Sequence, residues 1–174
     1  SVIGPRDFLR GIVGRQLWLS ARGLMKVAIH GGFDFVDVRD VVAGAIAAAD
    51  RGRRGQSYLL TGHWRSLREL FGAAAALGGH GPPWFDLPVP PLRPVAALLD
   101  ALAWVTPLRA GLSRASLHTI RNYRHISRAL AEAELGYAPR PFEDTIADTI
   151  AWYREHSSSR PRRDDLEGRD MSGR

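Results

Sequence analysis

Gly31-Gly32-Phe33-Asp34-Phe35-Val36-Asp37-Val38-Arg39-Asp40-Val41-Val42-Ala43 is the stretch on which the fold turns. Two glycines interrupt the chain, and residues 33–38 then alternate as a strand with Phe33, Phe35 and Asp37 on one face. Asp40 is placed to cap a helix over 41–49, its carboxylate accepting from first-turn N–H groups. On the far side of that helix, Arg51-Gly52-Arg53-Arg54-Gly55 forms a turn, and Ser57-Tyr58-Leu59-Leu60-Thr61-Gly62 reads as another strand. On the near side, residues 8–30 are an irregular mixture with moderate helical periodicity. Before them, Ser1-Val2-Ile3 reads as the end of a buried strand running into the turn Gly4-Pro5-Arg6-Asp7. Strands alternating with helices predict an α/β fold, in which ligands gather at the carboxyl ends of the strands.

Downstream the pattern becomes mostly helical. Ser66-Leu67-Arg68-Glu69 is a capping box, and the helix it opens runs to about residue 77, where Gly78-Gly79 closes it. Residues 81–94 carry six prolines and predict an extended crossing. Helices are expected over 95–104, 113–121 and 127–135, the last with Ser127 as N-cap and Gly136 just past its end. Phe142, Ile146, Ile150 and Tyr153 recur at helical spacing after Pro141, predicting a final helix to about residue 156. Residues 157–174 hold two large apolar side chains and are expected to be disordered.

At 174 residues, 45% of them hydrophobic, the chain can bury one core or two small ones. It has no cysteine, which excludes disulfides, zinc-thiolate and iron–sulfur sites and thiol nucleophiles. The net charge is +6 and Lys26 is the only lysine, so 23 of the 24 basic residues are arginine. Acidic residues are interleaved with the arginines and no run of five basic residues occurs. This favours an origin in genome composition over a polyanion-binding patch. The best candidate patch, Arg121, Arg124, His125 and Arg128 around Tyr123, reads equally as a solvated face between helices. The longest strongly apolar run, 41–49, is about half of the ~20 residues a membrane span needs. Neither a nucleic-acid nor a membrane partner is expected.

The motifs of self-contained engines are absent. There is no Gly-x-Gly-x-x-Gly, no Gly-Lys-Ser/Thr phosphate loop, no His-Glu-x-x-His and no Gly-x-Ser-x-Gly elbow. The six histidines form no i, i+4 pair, and no metal site is expected. Asp34 and Asp37 fall on opposite faces of their strand, which is awkward for paired-carboxylate catalysis. Asp37 and Asp40 read instead as a turn anchor and a cap.

The ordered series 4–7, 31–43 and 55–62, continued by Ser66-Leu67-Arg68-Glu69-Leu70, Asn122-Tyr123-Arg124-His125-Ile126-Ser127 and Glu134-Leu135-Gly136-Tyr137-Ala138-Pro139-Arg140-Pro141-Phe142, resembles the C-terminal half of extended short-chain dehydrogenases/reductases. These are the NAD-dependent epimerase/dehydratase proteins, and the flavour is that of the dihydroflavonol-reductase-like branch. The resemblance spans roughly residues 1–156. It implies the distal part of a Rossmann-type parallel sheet over 1–62, a mostly helical substrate-binding lobe over 63–156, and a tail over 157–174. Family members bind NAD or NADP and use a Tyr-x-x-x-Lys pair, with the tyrosine as acid/base. Position 22, four before Lys26, is Arg here, so no catalytic residue is expected in this chain. The glycine-rich loop is missing as well, and the chain opens at Ser1 inside a strand, which reads as part of a longer polypeptide.

The resemblance places Ser1, Val2 and Ile3 beside the nicotinamide, and Gly4, Pro5 and Phe8 at the border of the substrate cleft. Nucleotide-sugar members commonly start the strand matching 33–38 with an Arg that pairs with the diphosphate. Phe33 stands at that position here and cannot supply bidentate charge-assisted bonds. The expected substrate is therefore a less charged small molecule with a carbonyl or hydroxyl group. A nucleotide-sugar epimerase or dehydratase and a non-catalytic NAD(P) sensor or polyanion binder are the alternatives. A cytoplasmic protein is expected, and a homodimer is left open.

Overall fold

The computed structural model describes residues 1–9, 11–90 and 126–156. Strand β1 (Val2–Ile3) leads through helix α1 (Ile12–Ala21) to β2 (Val27–Ile29). Then follow β3 (Gly32–Asp37), α2 (Val38–Arg51), β4 (His63–Ser66), α3 (Leu67–Leu77) and β5 (Phe85–Leu87). Two further helices, α4 (Ala129–Leu135) and α5 (Phe142–His156), complete the described residues. One sheet has the order β1-β3-β4, with β1 parallel and β4 antiparallel to β3. The second is the parallel pair β2-β5. The class is α/β, as expected.

The core lies between the first sheet and helices α1, α3 and α5. Leu17, Phe35, Leu70, Ile146 and Ile150 are almost completely buried there. Helix α3 turns Leu67, Leu70, Phe71 and Ala74 inward, and α5 turns Phe142, Ile146, Ile150 and Tyr153 inward, as the helical spacing predicts. A smaller cluster joins Ala131, Leu135 and Tyr137 to Tyr58 and Leu60. On α2, Val42 and Ile46 remain more than half exposed, one turn apart.

The expected capping box is present: Ser66 Oγ accepts from the Glu69 N–H at 3.1 Å, and Glu69 Oε2 accepts from the Ser66 N–H at 2.8 Å. Replacing Ser66 by Ala removes the first of these bonds and is expected to cost about 1 kcal/mol, read as a lowered denaturation midpoint. Gly136 adopts the left-handed conformation after α4 (φ +62), the role expected of it. At the start of α4 the N-cap position falls on Arg128, and Ser127 Oγ accepts from the Ala129 N–H at 3.3 Å.

Three readings of the sequence are corrected. The cap of α2 is Asp37, whose carboxylate accepts from the Arg39 N–H at 2.8 Å, while Asp40 sits within the first turn and binds Arg140. The helix thus starts three residues earlier, because β3 ends with a carboxylate already aimed at the helix N–H groups. Residues 57–62 are not a strand. Their polar backbone groups meet side chains, with the Gly62 N–H on Asp34 Oδ1 at 2.7 Å and the Thr61 carbonyl on the Tyr137 hydroxyl at 3.1 Å. Pairing with β3 begins only at His63. Within the irregular stretch 8–30 lies the short strand β2, whose three residues are too few for a visible alternation. The expected helices 95–104 and 113–121, the residues 121–125 of the arginine patch and the tail 157–174 lie outside the described residues.

Candidate active-site cleft

The cleft forms where β1 ends. Ile3 pairs in register with Asp37, so the turn after β1 lies beside the junction of β3 and α2. Gly4 takes φ +147 and packs so closely that a Cβ would stand 2.9 Å from Val38 Cγ1. After Pro5, Arg6 adopts φ +67, the only non-glycine positive φ among the described residues. The Phe8 N–H donates back to the Arg6 carbonyl at 2.9 Å and tightens the turn.

Asp7 anchors this turn to two helices. Its carboxylate accepts from the Gly11 N–H at 2.9 and 3.1 Å, just ahead of α1, and from the Tyr153 hydroxyl of α5 at 2.7 Å. Gly14 is buried against both groups, and a Cβ there would overlap Asp7 Oδ2 and Tyr153 Oη. Below the turn is a cleft of about 360 Å³ whose walls include Ile3, Pro5, Ile12, Leu17 and Val38. Its lining is mainly apolar. Thr149 also reaches it, but its hydroxyl donates to the Thr145 carbonyl at 2.6 Å.

An ion network braces the floor beside the cleft. Arg39 binds Asp37 with both Nε and NH2, at 2.9 and 2.7 Å, and reaches Asp148 of α5 at 2.7 Å. Arg140 binds Asp40 from its backbone N–H at 2.9 Å and from its guanidinium at 2.9 and 2.8 Å. Burial pushes the Asp37 carboxyl upward, but the hydrogen bonds and charge of Arg39, with help from Thr145, outweigh it and hold Asp37 below its usual 3.8. The bonds to Asp37 and Asp148 hold Arg39 protonated. Tyr137, buried and facing Asp40, is pushed up to about 12 and so stays a neutral donor to Thr61.

The expected site residues separate in space. Val2, Ile3, Gly4 and Pro5 line the cleft together. Ser1 adjoins it in the chain and its carbonyl accepts from the Val36 N–H at 3.1 Å. Phe8 is 56% exposed and packs edge-on against Trp152, its ring centroid 5.3 Å away. Phe33 lies at the other end of β3, four residues from Asp37 and so about 13 Å along the strand from the cleft. It packs against Phe35 and pairs in register with Arg65. Asp7 and Gly14 were not singled out from sequence, because Asp7 meets Tyr153 across 146 positions and no local pattern marks the pair.

Among the described residues no group of three His, Asp or Glu is disposed to hold a metal ion, and no helix is long and apolar enough to cross a membrane.

A parallel strand pair opening at its carboxyl end into a cleft beside a helix start is the arrangement of nucleotide-binding α/β proteins. No family model matches the chain. It is 35% identical over 159 residues to sterol demethylase protein B of Methylococcus capsulatus, covering 89% of this chain and 48% of that protein. It is 27% identical over 167 residues to a dihydroflavonol 4-reductase-like protein of Synechocystis, covering 88% and 46%. Among solved structures, that of gox2253 superposes with a TM-score of 0.73 at 34% identity, covering 90% of this chain and 47% of that one. A nucleoside-diphosphate-sugar epimerase from Pseudomonas aeruginosa superposes at 0.63 and 25% identity, covering 89% and 46%. Neighbours of lower identity that share the fold include RMD from Pseudomonas aeruginosa, complexed with NADPH, and WbmF from Bordetella bronchiseptica, complexed with NAD+.

The chain is thus similar to extended short-chain dehydrogenase/reductase, or NAD-dependent epimerase/dehydratase, proteins and shares the Rossmann-type fold of its structural neighbours. It spans about half the length of the curated relatives it matches.

Proposed function

We propose that this chain is the substrate-facing part of an NAD(P)-dependent oxidoreductase that acts on a small carbonyl or hydroxyl compound. The observation that carries the reading is the apolar 360 Å³ cleft at the carboxyl end of β1, closed by the Gly4–Asp7 turn. Residues 1–62 contribute most of the sheet strands, and 63–156 add β4 and β5 and supply the helical lobe.

The residues present fit one end of a dinucleotide. Val2 and Ile3 offer an apolar strand edge on which a neutral nicotinamide ring can lie, with Ser1 beside them. The sequence contains no glycine-rich loop to cradle the pyrophosphate. When bound, NAD(P) supplies the hydride acceptor or donor. The chain's own residues wall the reacting carbon against water through Ile3, Pro5, Ile12 and Val38 and fix its approach through the rigid turn. The proton acid is not here, since Lys26, the only lysine, stands over Trp84 at 5.5 Å beside the second sheet and lacks its Tyr partner. The 174-residue chain alone is therefore expected to transfer no hydride.

Phe33 favours this reading over a nucleotide-sugar epimerase, because it stands where nucleotide-sugar members commonly carry an arginine for the diphosphate and cannot itself make those bonds. The test is a titration of the natural full-length polypeptide with NAD+, NADP+ and UDP-glucose, followed by reductase assays on aldehydes and ketones. Saturable NAD(P) binding with no UDP-glucose binding is expected. Binding of UDP-glucose overturns the substrate assignment, and failure to bind either dinucleotide overturns the oxidoreductase.

A further inference from the structure

We infer that Arg6 is an oxyanion seat at the mouth of the cleft, placed to take a carboxylate or phosphate on an otherwise apolar small molecule. This deepens the proposed function and rests on that reading only for the ligand's role as substrate or cofactor. Three observations carry it. First, Arg6 holds a left-handed backbone, which for a residue with a Cβ is strained by about 1–2 kcal/mol and persists only where its surroundings over-determine it. Those surroundings are visible: Gly4 is wedged on Val38, Pro5 fixes the approach, and Asp7 is tied to Gly11 and Tyr153. The turn is built, and it holds the Arg6 backbone in one conformation.

Second, the guanidinium has no hydrogen bond or ion pair among the described residues, although both nearby carboxylates are in reach of arginines or donors. Asp7 is occupied by Gly11 and Tyr153, and Asp37 by Arg39. Arg39, the other cation here, is in turn committed to Asp37 and Asp148. Third, Arg6, itself exposed, borders both the 360 Å³ cleft and an adjoining open hollow of about 570 Å³ walled by Pro5, Val38, Val42 and Arg39. An uncommitted cation at the rim of two largely apolar hollows suits an anion carried on a greasy body, the guanidinium pairing with the oxyanion in bidentate fashion while the body covers the apolar walls. With Arg39 committed to Asp37 and Asp148, the single uncommitted cation suits one oxyanion.

The experiment titrates the natural full-length polypeptide with benzoate, inorganic phosphate, NAD+ and NADP+ while following the Arg6 side-chain Nε–H and the Gly4, Asp7 and Gly11 amides by NMR. Benzoate is expected to shift these signals saturably, with affinity falling at least about tenfold in Arg6→Gln and partly restored in Arg6→Lys. A response to benzoate identifies the substrate as the source of the anion. A response to phosphate and NADP+ alone identifies the cofactor's phosphate, and either outcome supports the seat. No response at Arg6 to any of the four, or an equal response in Arg6→Gln, overturns it. Failure of dinucleotide binding with benzoate still shifting Arg6 strikes the oxidoreductase reading alone, and the converse strikes this inference alone.

Discussion

Gly78→Ala is expected to lower the stability of the chain by about 3 kcal/mol, near the upper end for overpacking a core. Gly78 closes α3 and lies against the last turn of α1, where an added Cβ would overlap the Ala21 carbonyl oxygen and carbon. The obstacle is backbone, so no rotamer change relieves it. The two helices have to separate, and the contact they lose is the one that buries Leu17. Gly81→Ala is the control, since nothing lies within 4 Å of its Cβ position and its φ is not in the left-handed region. Urea unfolding of both variants checks the claim: a large drop in midpoint is expected for the first and almost none for the second. Equal midpoints would show that α1 and α3 do not meet in this way.

The second large effect is expected from the ion network. Asp40→Ala removes three bonds to Arg140 at once, strands its backbone N–H and leaves its guanidinium only Asp37, 3.7 Å away. Because Arg140 keeps Asp37 and is partly solvated, the loss is expected to cost about 2 kcal/mol. Asp37 adds a pH dependence. Its native value lies below the usual 3.8, so the unfolded chain binds the proton more readily than the folded one. The stabilisation from Asp37 is therefore complete above its unfolded pKa and is lost as pH falls through the lower native value. Unfolding midpoints measured between pH 5 and pH 2 should fall more steeply for the parent than for Asp37→Asn. Parallel curves would mean that Asp37 is not held in its charged form.

How much of this could be read beforehand depends on the distance over which each signal acts. The capping box at Ser66, the left-handed Gly136 and the inward face of α5 are decided within a few residues, and all were legible. The start of α2 was misread by three positions. Two aspartates stood within reach of the helix N-terminus, and only the register of β3 against β1 decides that Asp37 is the cap while Asp40 turns to Arg140. Residues 57–62 looked like a strand because apolar residues flank by turn signals there. Their hydrogen bonds go to Asp34 and Tyr137, partners 28 and 76 positions away. The candidate site divides in the same manner. The Gly4-Pro5 turn after an apolar strand is a local signal, whereas Asp7, Gly14 and Tyr153 acquire their roles only when α5 returns to the beginning of the chain.

The Asp7–Tyr153 bond also sets an order in time. It joins positions 146 residues apart, and during synthesis at roughly 5–20 residues per second the first partner waits on the order of ten seconds for the second. Until then the turn that carries Arg6 lacks its tie to α5, and β1 has no finished wall to face. The cleft is thus a late product of folding, and a nascent chain halted before Tyr153 would carry every residue of the Gly4–Asp7 turn without its anchor.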